Sequence, residues 1–338
     1  MSWRSQHAVK SALPMTRIAE AVRLLRAGAL VAFPTETVYG LGADARNNAA
    51  VEKIFRLKGR PVDHPVIVHL PDASHLERWA KNIPDAAYQL AQTFWPGPLT
   101  IILQRHQDVP AIVSGGQQTI GLRIPNHPVA LELLRAFNDG VAAPSANRFG
   151  HISPTTAAHV RDEFGDAVSM ILDGGDCEVG IESTIVDLSG FAPRILRPGM
   201  ISTAEIAAVL KRDVVSGNEI GRETPRVSGS LDAHYAPRSP LQLLSADEIA
   251  IQVQRAITSG QCMGVLAIDG RSPELPNIVW QSASGDPKVF AHELYSHMRK
   301  LDAQNLSLII VQQVPKGEKW SAIADRLKRA AAGSGGAE

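Results

Sequence analysis

An apolar run, Ala29-Leu30-Val31-Ala32-Phe33, stops at Pro34 and gives way to Thr35, Glu36, Thr37 and Tyr39. Gly40 and Gly42 follow, and then a helix-like segment that closes on Lys58-Gly59-Arg60. An apolar strand feeding a polar, Gly-containing loop and then a helix is how open α/β sheets place ligands at strand carboxyl ends. Taken alone, the same segment reads more readily as an ordinary strand–turn–helix connection. The rest of the chain decides between the two.

Strand-like and helix-like segments alternate along the 338 residues, a length that suggests two domains. Apolar periodicity predicts helices over Met15–Ala27 (with Gly28 just past its end), Ala49–Leu57, Pro84–Phe94, Val129–Phe137 and Thr203–Lys211. Ser153-Pro154 reads as an N-cap and N1 pair opening a further helix, Thr155–Phe164. Short β-rich runs lie at Val66–Val68, Leu99–Leu103, Thr119–Ile124, Val141–Ala143, Met170–Leu172, Ser183–Leu188 and Arg194–Leu196. Residues 212–240 are polar and rich in Gly and Pro, and read as a linker. After it, four strand runs interleave with helical stripes up to Ala332, which argues a small parallel, Rossmann-like α/β domain over 241–332. That domain has no GxGxxG fingerprint. Residues 1–14 read as a loose arm, and Gly333–Glu338 as a disordered tail.

Composition narrows the function. Lys+Arg and Asp+Glu both number 34, and aromatic residues are 5%. A protein that mainly grips a nucleic-acid backbone usually carries a basic excess. Two cysteines, Cys177 and Cys262, exclude a disulfide framework and fit a reducing compartment. The N-terminus lacks the apolar core of a signal peptide, and no apolar run approaches a membrane span, so a cytoplasmic protein is expected. The eleven histidines show no i, i+4 pairing of a helical metal site, and no metal cage of protein side chains is expected.

Six polar clusters follow apolar strands: Thr35/Thr37, His69, Arg123, Ser145/Asn147, Ser183/Thr184 and Arg197. Strand ends of one sheet converge, so these groups are candidates for a single cleft. Singly, an Arg on a loop is a solvated charge, Ser145 and Asn147 are turn formers, and His69 is a core histidine. Six recurrences of the same placement favour the shared cleft. Lys58, Arg60, Arg123 and Arg197 would give it a positive interior suited to phosphate or carboxylate oxygens. There is no GxxxxGK[ST] loop and no GxSxG elbow. A phosphate-binding site without an evident nucleophile points to catalysis by positioning and charge stabilisation. Mg²⁺ held by substrate phosphates is the expected cofactor.

In order along the chain, FPTETVYGLGADA, KGRP, PVIVH, WPGPLT, GLRIP, APSAN, GIESTIVD and LRPG resemble the YrdC-domain family across residues 15–201. With the linker, which contains His234-Tyr235, and the second domain, the chain is similar to the long, two-domain threonylcarbamoyl-AMP synthases. The resemblance implies a twisted open mixed sheet around a large, positively lined cavity in residues 15–211. It implies condensation of L-threonine, bicarbonate or CO₂, and ATP into threonylcarbamoyl-adenylate and pyrophosphate, feeding a transfer complex that modifies tRNA, with transient tRNA contact a further implication. Motif by motif, Thr35, Thr37, His69, Arg123, Ala143 and Ser183 would surround L-threonine. Lys58 and Arg60 would clamp phosphate and carry the catalytic stabilisation. His64, Thr119, Ser145, Asn147, Ser153 and Arg197 would complete the ATP site, with Tyr235 closing over it as a lid. His64 stands where the family commonly has Asn, which would make that contact pH-dependent. The linker core Ser228–Tyr235 also departs from the family's more basic form. Two alternatives from the same residues are a double-stranded RNA-binding module and a carbamoyl-transfer enzyme.

Overall fold

The computed structural model describes residues 15–216, 224–268 and 275–334. The expected arm over 1–14, the linker glycines Gly217 and Gly221, and the tail beyond 334 lie outside the described residues.

Helix α1 (Met15–Arg26) precedes β1 (Val31–Phe33) and β2 (Gly40–Asp44). Helix α2 (Asn48–Lys58), β3 (Ile67–His69), α3 (Leu76–Trp79), β4 (Ala80–Lys81), α4 (Asp85–Phe94), β5 (Leu99–Arg105) and β6 (Thr119–Arg123) follow. Next come α5 (Pro128–Phe137), β7 (Val141–Ala142), α6 (Ala157–Phe164), β8 (Met170–Ile171), β9 (Thr184–Asp187), β10 (Arg194–Arg197), α7 (Thr203–Leu210) and β11 (Val215–Ser216). The C-terminal unit contains β12 (Leu241–Leu244), α8 (Ala246–Ser259), β13 (Met263–Ile268), β14 (Ile278–Ala283), α9 (Pro287–Asp302), β15 (Leu308–Gln312) and α10 (Ser321–Gly333).

Eleven strands of the described residues form one mixed sheet in the order β11-β10-β9-β5-β6-β3-β7-β2-β1-β8, with β4 pairing β5. The pairs β1–β8, β3–β6, β5–β9 and β10–β11 are parallel, and the rest are antiparallel. The C-terminal sheet runs β12-β15-β13-β14 and is parallel throughout, as the strand–helix alternation predicts. Helices cover these sheets with apolar faces. Val51, Ile54 and Phe55 of α2 pack with Leu41, Val68 and Leu122, while Phe290, Leu294 and Ile323 pack with Ile309 and Val311. Each fully buried aliphatic side chain contributes about 2 kcal/mol. The second of these clusters also takes in Val38, Ile152, Ile181 and Tyr235, so α9 and α10 pack onto residues that precede the C-terminal unit.

Three expectations are corrected. The stretch after Pro34 is no simple strand–turn–helix, because Gly40–Asp44 forms a strand that folds back antiparallel on β1, Val31 opposite Gly42. A Cβ at Gly42 would lie 2.9 Å from the Val31 carbonyl oxygen, so the glycine that reads as loop is there for close strand contact. Ser153 is not an N-cap. Helix α6 starts later, at Ala157, and Thr156 caps it by accepting from the His159 N–H. The tail is ordered for two residues longer than expected: Gly333 ends α10, and the Leu241 N–H donates to Ser334 Oγ at 2.8 Å.

Candidate active site

The walls of the central cavity are set by strand register and by two caps. Thr35 Oγ1 accepts from the N–H groups of Thr37 and Val38 and donates to the Val38 carbonyl, folding the PTET loop on itself. In the parallel pair β3–β6, His69 lies opposite Arg123. Helix α2 starts at Asn47, whose side chain accepts from the Ala50 N–H, and ends at Gly59, whose N–H bonds the Arg56 and Phe55 carbonyls. That ending turns the chain so that Arg60 reaches the cavity. A register shift between Ile195 and Arg197 in the β9–β10 pair accompanies the inward placement of Arg197.

The cavity holds about 530 Å³ of empty space, its open mouth included. Thr35, Thr37, Arg60, His69, Arg123, Ala143, Ser145, Ser183, Arg197 and Tyr235 line it, so ten of the expected residues meet there. Lys58 lies behind the wall, its Nζ donating to the Ser145 carbonyl at 2.6 Å and to the Asn147 carbonyl. Asn147 donates to the Arg148 and His151 carbonyls, and its Oδ1 has no partner. Thr119 lines a smaller adjoining cleft with Ile67, Ile102, Ile185 and Val227. His64 lines neither cavity and packs edge-on against Phe149 at 5.3 Å. Ser153 donates to Glu182 Oε1 at 2.6 Å.

Charge within the site is unevenly paired. Arg123 is 2.8 Å from Glu36 Oε2, a contact without an aligned hydrogen bond, and it donates to Thr37 Oγ1 and the Gly97 carbonyl. Its charge is therefore matched by the Glu36 carboxylate. Arg197 donates to Ser183 O, Ser183 Oγ and Ser228 O, and Arg60 to Pro65 O, His64 O and Ser228 Oγ. Both are buried, and among the described residues their hydrogen bonds go to neutral oxygens. Burial, with Arg197 nearby, brings Arg60 down to about 10, and burial, with Arg60 nearby, lowers Lys58 well below its usual range. Burial, with Arg123 nearby, lowers His69 to about 3, so the ring is neutral, and its Nδ1 is unpartnered. His234 is lowered to about 3 by burial.

The linker forms part of the wall. Ser228, Gly229, His234 and Tyr235 all line the cavity. Tyr235 has a φ of 62° and is buried, with its hydroxyl unpartnered. A left-handed backbone is costly for so bulky a residue and is held by its surroundings. Sequence reasoning assigned no role to Glu182 or Ser228, although Glu182 sits inside the quoted GIESTIVD motif. Among the described residues, no group of three or more His, Cys, Asp or Glu side chains could hold a metal, and Glu182 has both oxygens engaged.

With this geometry in place, likeness to known proteins is specific. A family profile described as "Telomere recombination" (Sua5_yciO_yrdC) matches residues 23–199, and one described as "Threonylcarbamoyl-AMP synthase, C-terminal domain" matches residues 201–332. The threonylcarbamoyl-AMP synthase of Pyrococcus abyssi is 35% identical over 330 residues, covering 95% of this chain and 96% of that one. The protein of the same name from Bacillus subtilis is 39% identical over 323 residues, covering 94% and 93%. The crystal structure of P. abyssi Sua5 complexed with L-threonine superposes with a TM-score of 0.88 at 34% identity, covering 96% of this chain and 97% of that one.

Proposed function

This chain belongs to the threonylcarbamoyl-AMP synthase family, and from that premise we propose that it joins L-threonine, bicarbonate or CO₂, and ATP into threonylcarbamoyl-AMP and pyrophosphate. The observation that carries the reading is the pair Arg60 and Arg197, buried on one cavity and, among the described residues, hydrogen-bonded to neutral oxygens. Buried cations of this kind call for an anionic ligand.

Threonine occupies the end lined by Thr35, Thr37, His69, Arg123, Ala143 and Ser183. The neutral His69 ring is part of this wall, and so acidic an imidazolium makes it a poor base. The neutral amine attacks CO₂, with its proton released to solvent, or bicarbonate, whose hydroxyl leaves as water with the amine proton, to give a carbamate. A carbamate oxygen attacks the α-phosphorus, the bond to the β-phosphate oxygen breaks, and pyrophosphate departs with the electron pair. Arg60 and Arg197 reduce the repulsion between carbamate and triphosphate and stabilise the leaving pyrophosphate. Lys58 supports the same wall through the Ser145 and Asn147 carbonyls, and Ser153 acts through Glu182. The cleft of Ile67, Ile102, Thr119, Ile185 and Val227 takes the base, with Asn147 and His64 at the periphery of the nucleotide. Tyr235 and the linker cover the cavity, excluding water from a hydrolytically fragile product.

Among the described residues no side-chain cluster would hold a metal; Mg²⁺ would come with the nucleotide and would supply charge neutralisation at its phosphates. The carbamoyl-adenylate is an activated donor, so the next enzyme is an acyl-type transferase acting on tRNA. A reducing, ATP-rich compartment, the cytoplasm, suits this chemistry, and no described helix is long and apolar enough to cross a membrane. Pyrophosphate release in reactions omitting one substrate at a time tests the reading. Release only with all three substrates is expected; release without threonine would sink it.

A further inference from the structure

Glu182 is a carboxylate lining a cavity that otherwise collects cations. Its bonds lead away from the substrate end. Oε2 accepts from the Tyr295 hydroxyl at 2.9 Å and from Arg326 Nε at 2.8 Å, and Oε1 accepts from Ser153 Oγ. Tyr295 lies on α9 and Arg326 on α10, both in the C-terminal unit. Arg326 is fully buried, pairs also with Asp325 at 2.6 Å, and places its guanidinium 5.3 Å over the Tyr235 ring. Burial works to raise the Glu182 carboxyl, but Arg326, then Arg197 and the hydrogen bond from Ser153, outweigh it and keep the group an anion.

Two cations therefore compete for one buried anion. Arg326 holds it in a direct ion pair, while Arg197 is left on the Ser183 and Ser228 oxygens. We propose that Arg326 is a positioning residue for the nucleotide: by holding Glu182 toward the C-terminal unit, it keeps Arg197 free for the substrate's phosphates. This gives the C-terminal unit a defined part in the chemistry. The proposal rests on the assignment of Arg197 to the polyphosphate. Without Arg326, the uncompensated Glu182 carboxylate turns to Arg197 and neutralises it, because a buried charge does not stay unpaired.

The test is calorimetric binding of ATP, and separately of L-threonine, to the full chain with Arg326→Met, Glu182→Gln, the double variant, and the conservative Arg326→Lys. Arg326→Met should weaken ATP binding about tenfold or more, since the variant loses a charge contact at the phosphates. Threonine, at the Thr35/His69 end, should bind nearly as before. The double variant has no competing carboxylate and should recover most of the ATP affinity, and Arg326→Lys should retain it. A merely structural Arg326 gives a different pattern: both ligands weaken together and Glu182→Gln rescues nothing. If Arg326→Met alone does not fold, the double variant decides. A folded double variant binding ATP close to wild type supports the proposal, and one that binds as weakly as expected for Arg326→Met, or does not fold, overturns it. Wild-type chain that fails to bind ATP at all would instead overturn the functional reading beneath it.

Discussion

His69 and His234 are neutral in the folded chain down to about pH 3 because they are buried beside cations. In the unfolded chain both protonate near pH 6.5. Below that value the unfolded state binds more protons, so this contribution to stability is complete above pH 6.5 and declines as pH falls toward 3. At pH 5 each histidine costs about 2 kcal/mol. Urea midpoints should fall between pH 7.5 and 5, and His69→Gln with His234→Asn should flatten that fall; an unchanged slope would contradict it. For Lys58, held well below the usual lysine range by burial behind the wall, the field of a bound triphosphate favours the protonated form, so ATP binding should take up protons and weaken as pH rises toward that usual range. Titration in buffers of different ionisation enthalpy reads that uptake directly, and binding without proton exchange at any pH would count against it. At this scale Arg60 and Arg197 were legible, because KGRP and LRPG put basic residues beside predicted element ends. The pairing of Arg123 was not, since Glu36 reads as one more polar residue of its loop.

The linker is where loop chemistry becomes site chemistry. Ser228 accepts from Arg197 through its carbonyl and from Arg60 through its hydroxyl, while donating to the Pro65 carbonyl. Gly229 sits at φ 76°, and a Cβ there would lie 2.1 Å from the Tyr235 hydroxyl oxygen. Gly229→Ala must therefore displace Tyr235 or the backbone. Its kcat/KM should fall about tenfold or more, while Tyr235→Phe, which loses only an unpartnered hydroxyl, should be milder. Steady-state pyrophosphate assays compare the two, and an unimpaired Gly229→Ala enzyme would remove the linker from the wall. Sequence marked 212–240 as a linker from its Gly and Pro content. It could not show that the segment lines the cavity, because its contacts are with residues far away in the chain. Strand β2 was hidden for the opposite reason, its glycines serving close strand contact rather than a turn.

Across the whole molecule, the two sheets were legible from the alternation of strand and helix signals, and the C-terminal sheet is parallel as that alternation requires. How the units join was not legible. Glu182 and Arg326 stand 144 residues apart, and no local period marks such a pair. A second junction, Arg299 with Glu163, lies nearby on α9 and α6. Buried ion pairs shared between units should make them unfold together. Calorimetry should show one transition, and two well-separated ones would contradict this coupling. The central claim is chemical: one cavity brings a threonine carbamate against the α-phosphate of ATP. Mass spectrometry of a quenched reaction with ¹³C-bicarbonate, ATP and L-threonine tests it most directly. An AMP adduct containing threonine and the ¹³C label is expected, with pyrophosphate formed in equal amount. ADP and orthophosphate, or an adenylate of threonine without the label, would contradict it.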